Sequence, residues 1–345
     1  MPVTALSDAQ RQAAHAQDWF ALHLYLSDAA ATDRFLLDWV MPQVRRLMGS
    51  GAARGWFFLR YWEGGPHLRL RVRGLSPAGR EQLLADARAA VPGYLSATPP
   101  TREGYYRHHF FDGQPLDLAQ LPWFDEGCVQ VMPYDPEWRR YGGLAGLPVN
   151  EGLFDLSSTL ALSLVRASAA DVSGRLQLAA GLMPLFAQAW QADLPGVARF
   201  LDDYVAYWTA SSAQVRAFDA PGAAAPVPTS EQCRSLARNL ARQLHEHREG
   251  PPRSPAALLR AGLAAAMSQW EIQRQQGLLV SPITDAPVDG DTQHRQALQA
   301  MLASQLHMLN NRLGLAPMQE VALARSLART AHALAREAAP RPLAA

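Results

Sequence analysis

Two spacings of apolar side chains alternate along the first 150 residues. Alternation with a period of two predicts β-strands, and recurrence every three or four positions predicts helices. The predicted strands lie at 18–26, 55–63, 67–73 and 128–134. A Gly-Gly-Pro turn joins the second and third of these strands and predicts a hairpin. The predicted helices lie at 31–48 and 76–91, the latter with Ser76 as its N-cap and Pro77 at its first position.

After Gly142 and Gly143 the spacing becomes helical throughout, with two loops rich in proline at 220–229 and 281–291. The predicted helices lie at 151–168, 173–191, 195–216, 229–248, 254–279, 293–313 and 317–338. The sequence therefore predicts an α+β fold. A mainly antiparallel sheet with flanking helices occupies 1–150, a helical portion occupies 151–345, and together they form one compact domain.

Composition narrows the classes of function. Of the 345 residues, 48% are hydrophobic, which is enough for a sizeable core, and the formal net charge is +1. A nearly neutral chain has no bulk attraction to nucleic acid or to an anionic membrane, so neither is expected as a partner. All 32 basic side chains are arginine. The absence of lysine excludes a P-loop and excludes Schiff-base chemistry, since both need the lysine amine.

The cysteines and histidines give no metal-binding pattern. Cys128 and Cys233 lie far apart, and the histidine pairs at 108–109 and at 245 and 247 have no third ligand at a suitable spacing. We therefore expect no metal and two reduced thiols. The N-terminus has no basic start followed by an apolar stretch, and no run of about 18 apolar residues occurs. These features favour a protein of the bacterial cytoplasm.

The third predicted strand, HLRLRVR at 67–73, carries basic side chains on one face, since residues two apart project the same way. The residues on that face are His67, Arg69, Arg71 and Arg73. The pattern fits the solvated face of an antiparallel sheet. Although the pattern alone favours the solvated face, it also fits an anion-binding surface, because planar guanidinium groups bind carboxylates or phosphates through paired hydrogen bonds.

Segment 134–143 (YDPEWRRYGG) predicts a strand end followed by a short helical turn. Glu137 and Arg140 lie three residues apart, a spacing that also occurs in weak surface ion pairs. The bulk of Trp138 and Tyr141 favours a packed environment over full exposure. The glycine pair at the end permits a backbone path that other residues avoid.

Segment 304–315 (SQLHMLNNRLGL) predicts a helix that carries a polar face. His307 and Asn311 are four residues apart and share that face, with Asn310 beside them. A single helical histidine is more often a structural hydrogen-bonding group than a catalytic one. The segment alone therefore favours a structural role.

Taken together and in this order, the three segments resemble the C-terminal domain of lantibiotic dehydratases, which also occurs as standalone proteins of thiopeptide-type bacteriocin biosynthesis. The family has an aromatic strand, a glycine/proline turn and H-x-R-x-R, and here the chain has FFLRYWEGGPHLRLR. The pattern Y-x-x-E-x-x-R-Y-G-G is matched at 134–143 and S-x-x-H-M-x-x-N-R-L at 304–313. The resemblance runs from about residue 18 to residue 320.

The resemblance implies an enzyme that eliminates glutamate from glutamylated serine or threonine and leaves dehydroalanine or dehydrobutyrine. The family's elimination residues fall on Arg69, Arg71, Glu137, Arg140 and His307. We expect substrate-binding roles for His67, Tyr141 and Asn311. Both His307 and Glu137 stay candidates for the base, and no metal or organic cofactor is implied.

The resemblance also implies partners. The substrate would be a ribosomal precursor peptide with a leader and a Ser/Cys-rich core, and a separate tRNA-dependent protein would glutamylate it. Whether the chain forms a homodimer stays open.

Two other functions stay open. Relatives in the same superfamily are pyridine synthases, which join two dehydroalanines by a formal aza-cycloaddition and expel the leader peptide. The third alternative is a non-catalytic module that only binds a precursor peptide. Retention of the elimination residues favours the first function over both alternatives.

Overall fold

The computed structural model describes residues 7–107, 110–111, 114–115, 121–168, 172–211 and 254–338. The predicted helix at 229–248, the loop at 220–229, Cys233 and the histidines at 108, 109, 245 and 247 lie outside the described residues. Within these ranges the fold is α+β as predicted, with an antiparallel sheet near the N-terminus and helices after it.

The sheet has four antiparallel strands. In chain order they are β1 (Trp19–Tyr25), β2 (Gly55–Tyr61), β3 (His67–Arg73) and β6 (Val129–Met132), and a separate ribbon pairs β4 (Phe110–Phe111) with β5 (Gln114–Pro115). Their order across the sheet is β2-β3-β1-β6, so the predicted hairpin of β2 and β3 is confirmed. Gly64 and Gly65 make its turn with φ of 86° and 107°, a region that favours glycine.

The two faces of the sheet differ in chemistry. Leu68, Leu70 and Val72 of β3 point into the main hydrophobic core, as the alternation predicts. The opposite face carries Arg69 and Arg71, which stand across from His23 and Ala21 of β1 in the strand register. The face with the arginines is therefore the one turned toward the later helices.

The helices of the N-terminal portion flank the sheet. They are α1 (Asp8–Asp18), α2 (Ala29–Phe35), a π-helix (Leu36–Val40), α3 (Met41–Gly49), α4 (Pro77–Ala90), a 3₁₀-helix (Val91–Tyr94) and α5 (Arg102–Tyr106). The predicted helix at 31–48 is interrupted by the π-helix, where the N–H of Met41 donates to the carbonyl of Leu36. Pro42 has no backbone N–H to donate, and its ring would clash with the carbonyl four residues earlier in an ordinary α-helical turn. The chain therefore forms the wider turn of a π-helix at this point.

The C-terminal portion consists of long helices in the described ranges. They are α6 (Gly143–Ala167), α7 (Val172–Trp190), α8 (Leu194–Ser211), α9 (Pro255–Gln275), α10 (Gly290–Leu313) and α11 (Pro317–Ala338), and a 3₁₀-helix (Trp138–Tyr141) precedes α6. The predicted start of α6 at 151 is wrong by just over two turns, because the helix begins at Gly143. Glycine and proline lower helix propensity over 142–148, but Gly146 packs against the carbonyl of Tyr141, which a Cβ would approach to 2.3 Å.

Side chains from α6 and α10 form hydrogen bonds with the backbone at the unpaired edge of β2. They thereby connect the N-terminal sheet to the C-terminal helices. The backbone N–H groups of Trp56 and Phe58 donate to Asp155 and Ser158 of α6, each at 3.2 Å. Farther along, Asn311 and Arg312 of α10 bond the strand backbone at 2.8 to 2.9 Å. An exposed edge would pair with other chains. Here the same contacts fix α10 beside the arginine face of the sheet.

The C-terminal end of α10 is held by two arginines that contact the same carboxylate, the half-buried Arg60 and the buried Arg175. Arg60 contacts Asp33 at 2.6 Å, and Arg175 contacts the other oxygen of the same carboxylate. Both guanidinium groups also donate to carbonyls of the last turn, those of Arg312 and Leu313. Cations favour that end because its carbonyls lack helical partners and carry partial negative charge.

No helix in the described ranges combines the length and apolar character needed to cross a bilayer.

Candidate active site

A cavity of about 460 Å³ lies between the arginine face of the sheet, the 3₁₀-helix before α6 and the polar face of α10. Seven residues singled out in the sequence line it: Arg69, Arg71, Glu137, Arg140, Tyr141, His307 and Asn311. The structure thus brings together the residues of three distant segments. We call the side formed by β2 and β3 the sheet wall, and the side formed by residues 137–141 and α10 the helical wall.

Aromatic rings hold the arginines of the sheet wall. The guanidinium carbon of Arg69 lies 3.3 Å from the centre of the Tyr61 ring. That of Arg71 lies 4.7 Å from the ring centre of Tyr134 and 5.3 Å from that of Phe57. Neither arginine forms an ion pair with an acidic side chain among the described residues. Burial lowers the pKa of both guanidinium groups, because a low-dielectric site penalises uncompensated charge.

His67 contacts Arg69 from behind and is not among the residues that line the cavity, unlike the other residues expected to bind substrate. It is only 4% exposed. Its Nδ1 donates to the carbonyl of Gly65 at 2.8 Å, and its Nε2 accepts from Nε of Arg69 at 3.1 Å. Burial first, and the arginines next to it, lower its pKa to about 4. A neutral ring is therefore occupied at both nitrogens and positions Arg69.

The last basic side chain of the row, that of Arg73, lies outside the cavity. Arg73 lies on the same face as Arg71 but contacts Asp18 at 2.7 Å and does not line the cavity. Deeper in the sheet, His23 stacks on His67 with ring centres 4.7 Å apart. Burial lowers the pKa of His23 to about 2. The sheet wall therefore presents two arginines above a layer of neutral rings.

The helical wall begins at the 3₁₀-helix. Arg140 donates to Glu137 at 3.1 Å, as the spacing predicts, and to Ser304 of α10 at 3.0 Å. Tyr141 is buried beside it, and burial raises the pKa of its hydroxyl to about 12. The following Gly143 has a φ of 79°, and a Cβ there would come within 2.7 Å of Val280. The glycine pair lets the chain turn tightly from the site into α6.

His307 stands on the helical wall between an acid and an aromatic ring. Its Nδ1 lies 3.2 and 3.1 Å from the two carboxylate oxygens of Glu320 on α11. Its ring centre is 4.6 Å from that of Trp208 on α8. The side chain is 17% exposed, so the imidazole reaches the cavity while one nitrogen is engaged behind it.

Asn311 lines the cavity, but both ends of its amide bond the backbone of Arg60. Its Oδ1 accepts from the Arg60 N–H at 2.9 Å, and its Nδ2 donates to the Arg60 carbonyl at 2.8 Å. These two hydrogen bonds give Asn311 a structural role at the strand edge, and its substrate-binding role stays a prediction. Asn310, next to it, is buried and donates to Glu320 at 3.3 Å.

Two functional candidates were missed in the sequence. Arg312 is fully buried, donates to the carbonyl of Phe58 at 2.8 Å, and has its two terminal nitrogens without a partner among the described residues. Burial lowers its pKa to about 9. It adds positive charge behind the cavity, and its place in the matched segment N-R-L was a usable signal.

The other missed residue is Glu320. Its signal is a carboxylate on the apolar face of a helix, in line with Ala324 and Leu327, which are buried with it.

A second cavity of about 480 Å³ adjoins the first. Arg140, Trp208 and His307 line both, so these side chains form the partition between them. Its other walls include Phe200, Tyr204 and Ala303, and it is more apolar than the first. The two hollows together offer more room than a single amino acid needs.

The arrangement is suited to handling an anion next to a proton-transfer group. Guanidinium groups without acidic partners attract a carboxylate, and in a partly dry site each such contact is stronger than in water. A histidine held by a carboxylate is a common general base. Among the residues that the structure describes, no group of three or more His, Cys, Asp or Glu side chains is placed to hold a metal ion.

Comparisons with known proteins match almost the whole chain. A family model described as lantibiotic biosynthesis dehydratase, C-terminal, matches residues 19–331. A search of curated proteins finds no match. Among solved structures, the pyridine synthase TbtD from thiomuracin biosynthesis is similar over 93% of this chain and 100% of its own, with a TM-score of 0.68 and 16% identity.

Two further structures show the same fold at 20% identity. TsrL is similar over 94% of this chain and 99% of its own, with a TM-score of 0.56. The tRNA-dependent lantibiotic dehydratase MibB from Microbispora sp. 107891 is similar over 98% of this chain but only 29% of its own, with a TM-score of 0.51. At such identities the likeness concerns the fold.

Proposed function

The chain belongs to the lantibiotic biosynthesis dehydratase C-terminal family, and from this premise we propose that it eliminates glutamate from glutamylated serine or threonine in a ribosomal precursor peptide. One observation carries the proposal. Arg69 and Arg71, which meet no acidic side chain among the described residues, share a cavity with His307, which is bound to a buried carboxylate. A leaving carboxylate and a departing proton are the two species that this cavity suits.

The reaction moves one proton and one electron pair. A base takes the α-proton of the glutamylated residue, the Cα–H electrons form the Cα=Cβ double bond, and the Cβ–O bond breaks. Glutamate leaves with the bonding pair as a carboxylate. The difficult points are the weak acidity of the α-proton and the negative charge that develops on the adjacent amide oxygen and on the leaving group.

The residues divide these tasks. We assign the leaving carboxylate to Arg69 and Arg71, whose forks match its two oxygens. We assign the α-proton to His307. Glu137 is 63% exposed at its side chain and accepts a hydrogen bond from Arg140, so we assign it to holding that arginine, which stabilises the amide oxygen. Tyr141 packs behind the arginine and shapes the wall.

The substrate that fits these tasks is a peptide carrying a glutamyl ester. We propose a precursor peptide with a leader and a Ser/Cys-rich core as the binding partner, and a tRNA-dependent glutamylating protein as the source of the ester. The apolar second cavity next to His307 gives room for peptide on either side of the reacting residue.

A pyridine synthase is the second candidate. It is favoured by the fold likeness to TbtD, which covers that chain completely and has a higher TM-score than the likeness to MibB. Ring formation between two dehydroalanines releases no carboxylate. It therefore gives no use for a pair of arginines without acidic partners, and on this ground elimination is preferred.

The test is incubation of the protein with a glutamylated precursor peptide, followed by mass spectrometry. We expect each modified residue to lose the mass of glutamic acid and to become reactive toward thiols, as an alkene does. The unmodified peptide is the control and should not change. Conversion of a dehydrated peptide to a shortened, ring-containing product would select the pyridine synthase instead. No change in the glutamylated peptide or in the dehydrated peptide would leave only a binding role.

A further inference from the structure

Glu320 is the buried carboxylate that contacts His307, and the proposed mechanism gives it no task of its own. It is fully buried on α11. An ionised group in such a place is stable only when hydrogen bonds replace its lost water. Its neighbours on that helix face are Ala324 and Leu327, so the partners must come from other helices.

Three side chains supply those partners. Oε2 of Glu320 lies 2.5 Å from the hydroxyl of Tyr204 on α8 and 3.3 Å from Nδ2 of Asn310 on α10. The third is Nδ1 of His307, at 3.1 Å from the same oxygen. The pKa of Tyr204 is raised, first by burial and then by Glu320, so its hydroxyl keeps its proton and donates. The amide of Asn310 is also a donor.

This arrangement determines which nitrogen of His307 carries the proton. A carboxylate surrounded by donors only accepts, so the contact at Nδ1 requires an N–H there. The neutral ring then has its lone pair at Nε2. No hydrogen bond to Nε2 is found among the described residues. Because the side chain lines the cavity, Nε2 is the nitrogen left to take a proton.

We propose that Glu320 is a positioning residue that holds His307 as the Nδ1–H tautomer and stabilises the imidazolium formed when Nε2 accepts the substrate proton. The kinetic half of this proposal rests on the proposed function. Glu320 does not touch the substrate and acts only through its hydrogen bond with His307. The logic is that of a base oriented by a carboxylate behind it, as in hydrolase triads.

A purely structural role is the alternative, since Glu320 also ties α8, α10 and α11 together. Such a role predicts a less stable protein, but no change in the tautomer of His307 and no specific loss of kcat. The variants must therefore separate charge, hydrogen bonding and packing. Glu320→Gln keeps the shape and an acceptor but removes the charge. Glu320→Met keeps the length but removes the acceptor.

The structure offers a matched control. His332 on α11 contacts Asp202 on α8 at 2.7 Å, another histidine–carboxylate pair between helices, but exposed and away from the cavity. Asp202→Asn removes that charge in the same way. Tyr204→Phe removes one donor to Glu320 and leaves its contact with His307 in place.

The first measurement is nitrogen NMR of the protein with ¹⁵N-labelled histidine, at a pH where the ring of His307 is neutral. The His307 resonances are assigned from their loss in His307→Gln. We expect the Nδ1–H tautomer in the wild type and in Tyr204→Phe, and a rise of the Nε2–H tautomer in Glu320→Met. An Nε2–H tautomer in the wild type would overturn the proposal. This readout does not depend on turnover, so it stands even if no glutamate is eliminated.

The second measurement is turnover of the glutamylated peptide. We expect Glu320→Gln to lower kcat by at least about tenfold with KM within about twofold, and Asp202→Asn to match the wild type. Wild-type kcat in a folded Glu320→Gln protein would overturn the positioning role. If Glu320→Met does not fold, the wild-type tautomer and the kcat of Glu320→Gln still decide between the outcomes.

Discussion

The two walls of the cavity compensate positive charge in different ways. On the sheet wall, Arg69 and Arg71 lie against aromatic rings and form no ion pair with an acid among the described residues. On the helical wall, Arg140 contacts Glu137, and His307 contacts Glu320. The sheet wall can therefore bind an anion from the substrate, whereas the cationic groups of the helical wall already contact the carboxylates of Glu137 and Glu320.

The difference follows from what each partner does to a cation. An aromatic face stabilises a guanidinium by about 0.5–2 kcal/mol without using its N–H groups, which lie in the plane of the guanidinium and can still donate hydrogen bonds. A carboxylate occupies those N–H groups and cancels the charge. We infer a division of labour in which the sheet wall binds the leaving glutamate and the helical wall moves the proton.

The largest expected effect tests the helical wall. His307→Ala should slow elimination by about 10²–10⁴-fold, the usual size of a general-base contribution. The melting temperature should change little, because the imidazole lines a cavity and Tyr204 and Asn310 still donate to Glu320. His332→Ala, an exposed histidine on α11, is the control for the loss of an imidazole. Full activity in a folded His307→Ala protein would remove histidine from the mechanism and leave Glu137 as the candidate base.

The next effect tests the sheet wall. Arg69→Lys keeps the charge but loses the planar fork, and we expect elimination to fall by about a hundredfold. Glutamylated peptide should accumulate in the assay. Arg73→Lys is the matched control, because it lies on the same strand and face but binds Asp18 outside the cavity. Equal loss of turnover in both lysine variants would mean that the arginine row matters only for the sheet.

The pH dependence of the free energy of unfolding tests whether the sheet wall needs a neutral His67. The pKa of His67 is lowered to about 4, so its native ring resists a proton that the unfolded chain accepts. Stability contributed by this neutral ring is full above about pH 6.5 and is lost as the pH falls toward 4, by up to about 3 kcal/mol.

Urea unfolding at pH 7.5 and pH 5 measures the loss, and His67→Asn should lose less stability across that interval than the wild type. His332→Asn, which removes an exposed ring, should behave as the wild type does. A wild-type protein equally stable at both pH values would contradict a buried neutral His67.

The smallest effect on turnover is expected at Asn311. Asn311→Ala leaves the N–H and carbonyl of Arg60 unpaired at the strand edge, at a cost of about 1–3 kcal/mol in the free energy of unfolding. Turnover by the folded variant should stay within a few fold of the wild type. Urea unfolding and the peptide assay together decide, since a stable variant with a raised KM would support the substrate-binding role.

The sequence predicted the sheet wall well because it depends on local periodicity. Alternation over β3 fixes which side chains share a face, and it correctly separates Arg69 and Arg71 from Leu68 and Leu70. It could not show that Arg73 contacts Asp18 or that His67 packs against the ring of His23, because both partners are distant in the chain.

The helical wall was predicted only in part. The spacing of Glu137 and Arg140 gave their contact, which lies within one helical turn. The contact of His307 with Glu320 crosses from α10 to α11, and no local spacing encodes it. Asn311 shows the same limit: its position on the polar face was correct, but its amide bonds a strand far away in sequence.

One binding measurement tests the division of labour most directly. The ligand is glutamate, the carboxylate that elimination releases, titrated into the protein in the presence of the dehydrated peptide. Its Kd is measured by titration calorimetry. We predict that Arg69→Lys weakens binding by about tenfold or more, or at least about 1.4 kcal/mol, while His307→Ala binds within about twofold of the wild type and has lost turnover. Unchanged affinity in Arg69→Lys, or an equal loss in His307→Ala, would contradict the assignment of anion binding to the sheet wall and proton transfer to the helical wall.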